Sequence, residues 1–211
     1  KPDGIASALI ISEEFLNGSP SALILGDNIF YTSGLTGLEN HELLKTSGAT
    51  ILAKEMSNPN EYGVIALDQN GTPTSIEEKP KNPKSNLVVT GLYFYDNTAS
   101  ERAKKLEKSE RGELEITDLN RSYLEENRLS ILNIRRGSLW FDAGSHANLI
   151  EASNLIASIQ HRSGILISSP EETAYRKGWI TIDQLNLLIG AMGTSSYQKM
   201  LTKFVQRELN K

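Results

Sequence analysis

Five short runs rich in β-branched and aromatic residues recur along the chain, each bounded by Gly, Pro, Asn or Asp: SALILG (21–26), ATILAKE (49–55), GVIAL (63–67), VVTGLYFYD (88–96) and LSILNIRR (129–136). Runs of this length and composition read as strands. Helical patterns alternate with them, which confines the chain to an α/β fold. Asn70-Gly71, set between two strand-like segments of YGVIALDQNGTPTSIEEKP, predicts a tight type I′ hairpin turn and hence at least one antiparallel excursion in the sheet.

Between and after the strands the helices announce themselves by spacing. IASALIISEEFL near the N-terminus puts Ile5, Ala8, Leu9 and Ser12 on one face. ITDLNRSYLEEN aligns Leu119, Tyr123 and Leu124, with Thr117 as the expected N-cap and Asn127 as the stop. From about residue 145 the texture becomes helical throughout. Ser145 heads a segment with Leu149, Ala152, Ile156 and Ile159 at helical spacing; Ser169, Pro170, Glu172 and Gly178 punctuate a second; Tyr197, Met200, Leu201, Phe204 and Val205 form the stripe of a third. The expected partition is an α/β core over residues 1–145 and a helical C-terminal region over 146–211.

Composition narrows the function. Of 211 residues 38% are hydrophobic and 23% charged, enough for a substantial core, and a formal net charge of -4 disfavours nucleic acid or an anionic membrane as the main partner. Cysteine is absent, which removes thiolate nucleophiles, thiolate zinc sites and disulfides, and no apolar run reaches the length of a membrane span. A cytoplasmic enzyme is the expectation. His41, His146 and His161 form no ligand or base pattern.

Two strand ends carry carboxylates. In LILGDNIFY (23–31) a strand stops on Gly26 and Asp27, and in GSLWFDAGS (137–145) Trp140 and Phe141 precede Asp142 and Gly144. Strand ends in open α/β sheets are where ligands bind. Asp27 suits either a turn cap or a Mg²⁺ ligand, since Mg²⁺ takes one or two carboxylates together with phosphate oxygens and water. Were Asp27 and Asp142 about 4 Å apart, their repulsion at an effective dielectric near 20 would be about 4 kcal/mol, which a divalent cation would remove. EEKP (77–80) is by itself an ordinary charged cluster, and Tyr62 and Val89 by themselves are strand-end packing.

Eight blocks occur in order: PDGIA, LGDNIFY, YGV, EEKP, VTGLYFYD, RGELEITDLN, Trp140-x-Asp142-x-Gly144 and LIEASNLI. Together they resemble the glucose-1-phosphate thymidylyltransferases, a group of sugar nucleotidyltransferases. The resemblance implies a Rossmann-like mixed α/β sheet of the nucleotide-diphospho-sugar transferase type, lacking its first strands, with a helical C-terminal region. It implies dTTP and glucose 1-phosphate as substrates, dTDP-glucose and pyrophosphate as products, a place in deoxysugar synthesis such as that of dTDP-rhamnose, Mg²⁺ as cofactor, and a homotetramer. By the same resemblance Asp27 and Asp142 hold the metal, Lys79 meets the sugar phosphate, Glu78 the sugar hydroxyls, Tyr62, Gly63 and Val89 the hexose, Gly4 the base and Asn28 the nucleotide sugar. Trp140 is a wall.

The pattern departs from that family chiefly in that no glycine-rich, arginine-bearing phosphate loop occurs in residues 1–211; in addition, Lys1 and Ser7 replace a usual serine and glutamine. The expectation is therefore a chain matching the later part of such an enzyme, with little transferase activity alone, because the main triphosphate clamp is absent. Uridylyl or cytidylyl transfer, or a nucleotide-sugar-binding regulatory subunit, are the competing readings.

Overall fold

A computed structural model describes residues 3–31, 47–134 and 136–210. The nine residues of β6 (Leu87–Tyr95) carry no charge, and all are buried. A strand apolar on both faces must be covered on both, and this one lies at the centre of a six-stranded mixed sheet. Along one edge of β6 runs β3 (Ala49–Glu55), antiparallel, with β7 (Leu129–Asn133) beyond it in parallel. On the other edge β1 (Ser21–Ile24) pairs with the C-terminal half of β6, while β4 (Gly63–Leu67) meets it at Val88 and carries β5 (Pro73–Glu78) outside it. A separate antiparallel ribbon joins β2 (Asn28–Tyr31) to β8 (Leu139–Asp142).

Period-two alternation divides the sheet residues between two cores. Ile51, Ala53, Val89 and Tyr93 pack with Ala6 and with residues of α1 (Ser7–Ile11), α3 (Ala99–Ala103) and α4 (Ile116–Glu125), chiefly Leu9, Ala103, Leu119 and Tyr123. Leu52, Val88, Leu92 and Phe94 face the opposite side, where the ribbon supplies Phe30 and Trp140. The result is helices, sheet and ribbon in three layers.

At the end of β6 the chain is tied down by Asp96, only 6% exposed. Its carboxylate accepts from Gly48 N (2.8 Å), Thr98 N (2.9 Å), Thr98 Oγ1 (2.6 Å), Tyr123 Oη (2.9 Å) and Arg128 Nη2 (2.6 Å). Five donors from four segments satisfy a charge that would otherwise be costly to bury.

Four local expectations differ from what is observed. The N-terminal helix buries Ala6 and Leu9, with Ile5 and Ala8 exposed, and it breaks at Ser12, where α2 (Glu13–Leu16) begins. Ser12 Oγ bonds back to Ala8 O at 2.7 Å, the kind of side-chain competition that bends helices. The hairpin forms, but not through a type I′ turn. Only Gly71 adopts positive φ (82°), Gly71 N bonds Asp68 O, and the Asp68 carboxylate accepts from Asn70 N and Thr72 N, so a three-residue loop closed by a left-handed glycine wins. Thr117 does not cap α4; Glu115 holds the N-cap position without a side-chain cap, and Thr117 is buried inside the helix. Asn127 (φ 56°) does end it. The β2–β8 ribbon was not expected as a separate element.

The chain divides into two compact units, Lys1–Gly144 and Ser145–Lys211. The second is helical: α5 (His146–Ser163) starts on Ser145 Oγ, α6 (Pro170–Arg176) on Ser169 Oγ, α7 (Ile182–Ala191) on a Thr181–Gln184 capping box and α8 (Ser196–Leu209) on Ser195 Oγ. Leu185 and Ile189 of α7 meet Leu201, Phe204 and Val205 of α8 in its core. In α5 the expected stripe is only partly realised: Ala152 is buried, whereas Leu149 is exposed. His146 and His161 lie on this helix, and His41 lies outside the described residues. No helix among the described residues is long and apolar enough to cross a membrane.

Candidate active site

The ribbon brings the two aspartates together. Asn28 stands opposite Asp142 in the β2–β8 register, and Ala143 N donates to Asp27 O at 2.7 Å, extending the pairing one step past the strands. The side chains then turn toward Gly144. A Cβ built on that glycine would lie 3.1 Å from Asp142 Oδ1 and 3.2 Å from Asp27 Oδ2, so both carboxylates face one small space that exists because residue 144 has no side chain. Gly144 N also donates to Asp142 Oδ1 (3.1 Å).

Asn28 connects this cradle to the sheet. Its Oδ1 accepts from Gly91 N (2.9 Å) and Trp140 Nε1 (2.7 Å), and its Nδ2 donates to Asp27 Oδ1 (2.8 Å). Gly91 is required for that approach, because a Cβ there would fall 2.6 Å from the Asn28 amide.

Next to the cradle is a cleft lined by Tyr62, Gly63, Glu78, Lys79, Val89, Tyr93, Thr117, Trp140 and Asp142, among others. The last pair of the β4–β5 hairpin, Gly63 opposite Glu78, lies at its mouth. Glu78 Oε2 accepts from Thr117 Oγ1 at 2.6 Å, and Arg111 Nη2 stands 3.7 Å from Glu78 Oε1. A Cβ at position 63 would sit in ordinary contact with Thr117, Val89 and Glu78 at 3.4–3.5 Å, so glycine is not sterically required here but leaves that volume to the cleft. Lys79 follows with φ 43°, a left-handed conformation unusual for a side-chain-bearing residue, held by Lys79 N to Tyr62 O (3.0 Å). Tyr62 meets Trp140 edge-on, 5.2 Å between centroids.

Both cleft tyrosines stay protonated at neutral pH. Burial, then the neighbouring Glu78 and Asp27 charges, push the Tyr93 hydroxyl well up. Burial, Asp142 and Glu61 push Tyr62 the same way. They are hydroxyl donors, not anions.

Of the residues anticipated from sequence, Asn28, Tyr62, Gly63, Glu78, Lys79, Val89 and Asp142 line this one cleft, with Asp27 at the adjoining cradle. Gly4 does not line it; neighbouring Ile5 does. Gly4 (φ 96°) is explained by packing, since a Cβ would strike the Leu114 backbone at 2.4 Å. Sequence reasoning missed Thr117 as the partner of Glu78, Asn28 as the link between Asp27 and the sheet, and Tyr93 in the cleft wall. Only the register of the strands and the packing of α4 on β5 could have exposed these.

The donor set fits Mg²⁺. Among the described residues no group of three or more His, Asp or Glu is arranged to hold a metal. Two converging carboxylates, with phosphate oxygens and water completing the shell, are what Mg²⁺ commonly accepts.

A mixed α/β sheet with paired carboxylates and a lysine at its strand ends is a framework for phosphate-transfer chemistry. The family model "Nucleotidyl transferase" matches residues 1–159, and the chain belongs to that family. Among curated relatives it is 46% identical to glucose-1-phosphate thymidylyltransferase of Xanthomonas campestris pv. campestris, over 98% of this chain and 70% of the relative. It is 42% identical to the enzyme of that name from Mycobacterium tuberculosis, over 98% of this chain and 72% of the relative. A crystal structure of a glucose-1-phosphate thymidylyltransferase from Bacillus anthracis in complex with sucrose aligns with a TM-score of 0.64 at 41% identity, covering 74% of this chain and 61% of that one. UDP-glucose pyrophosphorylase complexed with UDP-glucose shares the fold, with a TM-score of 0.65 at 23% identity, over 75% of this chain and 64% of that one.

Proposed function

We propose that the protein transfers dTMP from dTTP to glucose 1-phosphate, giving dTDP-glucose and pyrophosphate. The observation that carries this reading is the convergence of Asp27 and Asp142 on one point beside a cleft containing Lys79 and Glu78. A phosphate oxygen of glucose 1-phosphate attacks the α-phosphorus of dTTP, the bond to the β,γ-diphosphate breaks, and no covalent enzyme intermediate is needed.

Asp27 and Asp142 would hold a Mg²⁺ ion, whose contribution is to neutralise polyphosphate charge. The Lys79 ammonium meets the sugar phosphate as a compact cation. Glu78, fixed by Thr117 through one oxygen, accepts from hexose hydroxyls with the other. Tyr62, Val89 and Trp140 supply the apolar wall, and Gly63 leaves room for the ring.

The test is pyrophosphate release by the gene product that carries this chain, supplied with glucose 1-phosphate and each of dTTP, UTP and CTP. Turnover highest with dTTP, and lost in Lys79→Ala and Asp142→Asn, is expected. Faster turnover with UTP or CTP overturns the choice of base, and binding without turnover overturns the transfer reaction.

A further inference from the structure

By the family resemblance Asn28 sits near the nucleotide sugar, yet its amide is already engaged on three sides by the protein itself. The orientation of that amide is forced. Gly91 N and Trp140 Nε1 are both donors and both point at one atom, so that atom is the carbonyl oxygen, and the remaining NH₂ must face Asp27 Oδ1 at 2.8 Å. Flipping the amide would lose both accepted bonds and set an oxygen against a carboxylate. The two donors come from β6 and β8, so the amide is anchored by elements on either side of it.

The consequence falls on Asp27. An exposed aspartate normally samples several rotamers, but here one oxygen is held by Asn28 and the other, Oδ2, is left facing the space it shares with Asp142 Oδ1. We infer that Asn28 is a positioning residue for the cation cradle: its amide donor aims Asp27 at the ion rather than contacting substrate itself. This rests on the cation-site reading above. Partners that orient a ligand in this way are commonly worth about 10- to 100-fold in metal affinity when removed.

The experiment uses Mn²⁺ alone as probe, with binding followed by loss of the free-ion electron paramagnetic resonance signal. Glucose 1-phosphate binding is measured separately by calorimetry without metal. Wild type, Asn28→Ala and Asp27→Asn are compared, with Asn28→Ser as the second variant should the alanine protein not fold. The expected result is Mn²⁺ binding in wild type, its loss in Asp27→Asn, and at least about tenfold weaker Mn²⁺ binding in the Asn28 variant with sugar-phosphate affinity unchanged. Wild-type Mn²⁺ affinity in the Asn28 variant, against loss in Asp27→Asn, overturns the positioning role and leaves the cation site standing. Equal loss of both ligands in the Asn28 variant also overturns it, because that marks general damage. Mn²⁺ binding that is absent in wild type, or unaffected by Asp27→Asn, overturns the cation site and the inference with it.

Discussion

Gly144→Ala separates the stability of the fold from the capacity of the cradle. Gly144 does not occupy the positive-φ region, so an alanine backbone is allowed there, and a gain of about 0.4–1 kcal/mol through the unfolded chain is set against two tight contacts in which the carboxylates must give by a few tenths of an ångström. The new methyl, however, stands 3.1 and 3.2 Å from the two carboxylate oxygens, where the ion or its ligands would be. Each oxygen is about 3 Å from that point, which puts them at most about 6 Å apart, and their repulsion at an effective dielectric of 20 is then about 3 kcal/mol. A bound cation offsets that repulsion; a methyl does not. The expected outcome is a little-changed melting temperature, the gain and the crowding offsetting each other, with Mn²⁺ affinity lowered about a hundredfold, roughly 3 kcal/mol. Calorimetric melting and Mn²⁺ titration read the two quantities on one sample. Mn²⁺ affinity within about threefold of wild type, a change below 1 kcal/mol, would refute the reasoning by showing that the ion does not occupy the space facing Gly144.

The Asp96 anchor predicts acid sensitivity. Burial pushes this carboxyl up, but hydrogen bonds from Thr98, Tyr123 and Gly48 outweigh it and leave it below its ordinary value of 3.8. Its stabilisation is therefore complete above the unfolded pKa and is lost as pH falls through the lower folded one. Asp96→Asn should cost about 3 kcal/mol at pH 7 and flatten the decline in stability below about pH 4, measured by urea unfolding across that range. Lys79→Gly removes an ammonium and relieves a left-handed backbone worth about 1–2 kcal/mol, so stability should hold or rise while calorimetric affinity for glucose 1-phosphate falls. Leu201→Ala, at a site with no exposure, should lower protection in α7 and α8 by about 2–5 kcal/mol in hydrogen exchange.

Strand existence was legible because composition and breakers speak locally: ATILAKE and GVIAL coincide with β3 and β4 to the residue. Caps with a serine before a helical stripe, at 145 and 169, were legible for the same reason. The turn at Asn70-Gly71 was misread because Asp68, two residues earlier, recruits two backbone amides and selects another loop. Thr117 looks like a cap in sequence, yet its hydroxyl reaches a carboxylate 39 residues away. Pairing of that kind depends on how α4 packs against β5, which one sequence does not display. Asp27 and Asp142 could be singled out as acids at strand ends, but their convergence needed the ribbon.

That ribbon also fixes when during synthesis the cradle can come into being. Residues 28–31 leave the ribosome more than a hundred positions before 139–142, and neither strand has its partner until the later one emerges. Contacts so distant along the chain close late. A nascent polypeptide thus carries Asp27 without Asp142 while the more than a hundred residues between them are made, and gains the geometry for a divalent ion only once Gly144 is clear of the exit tunnel.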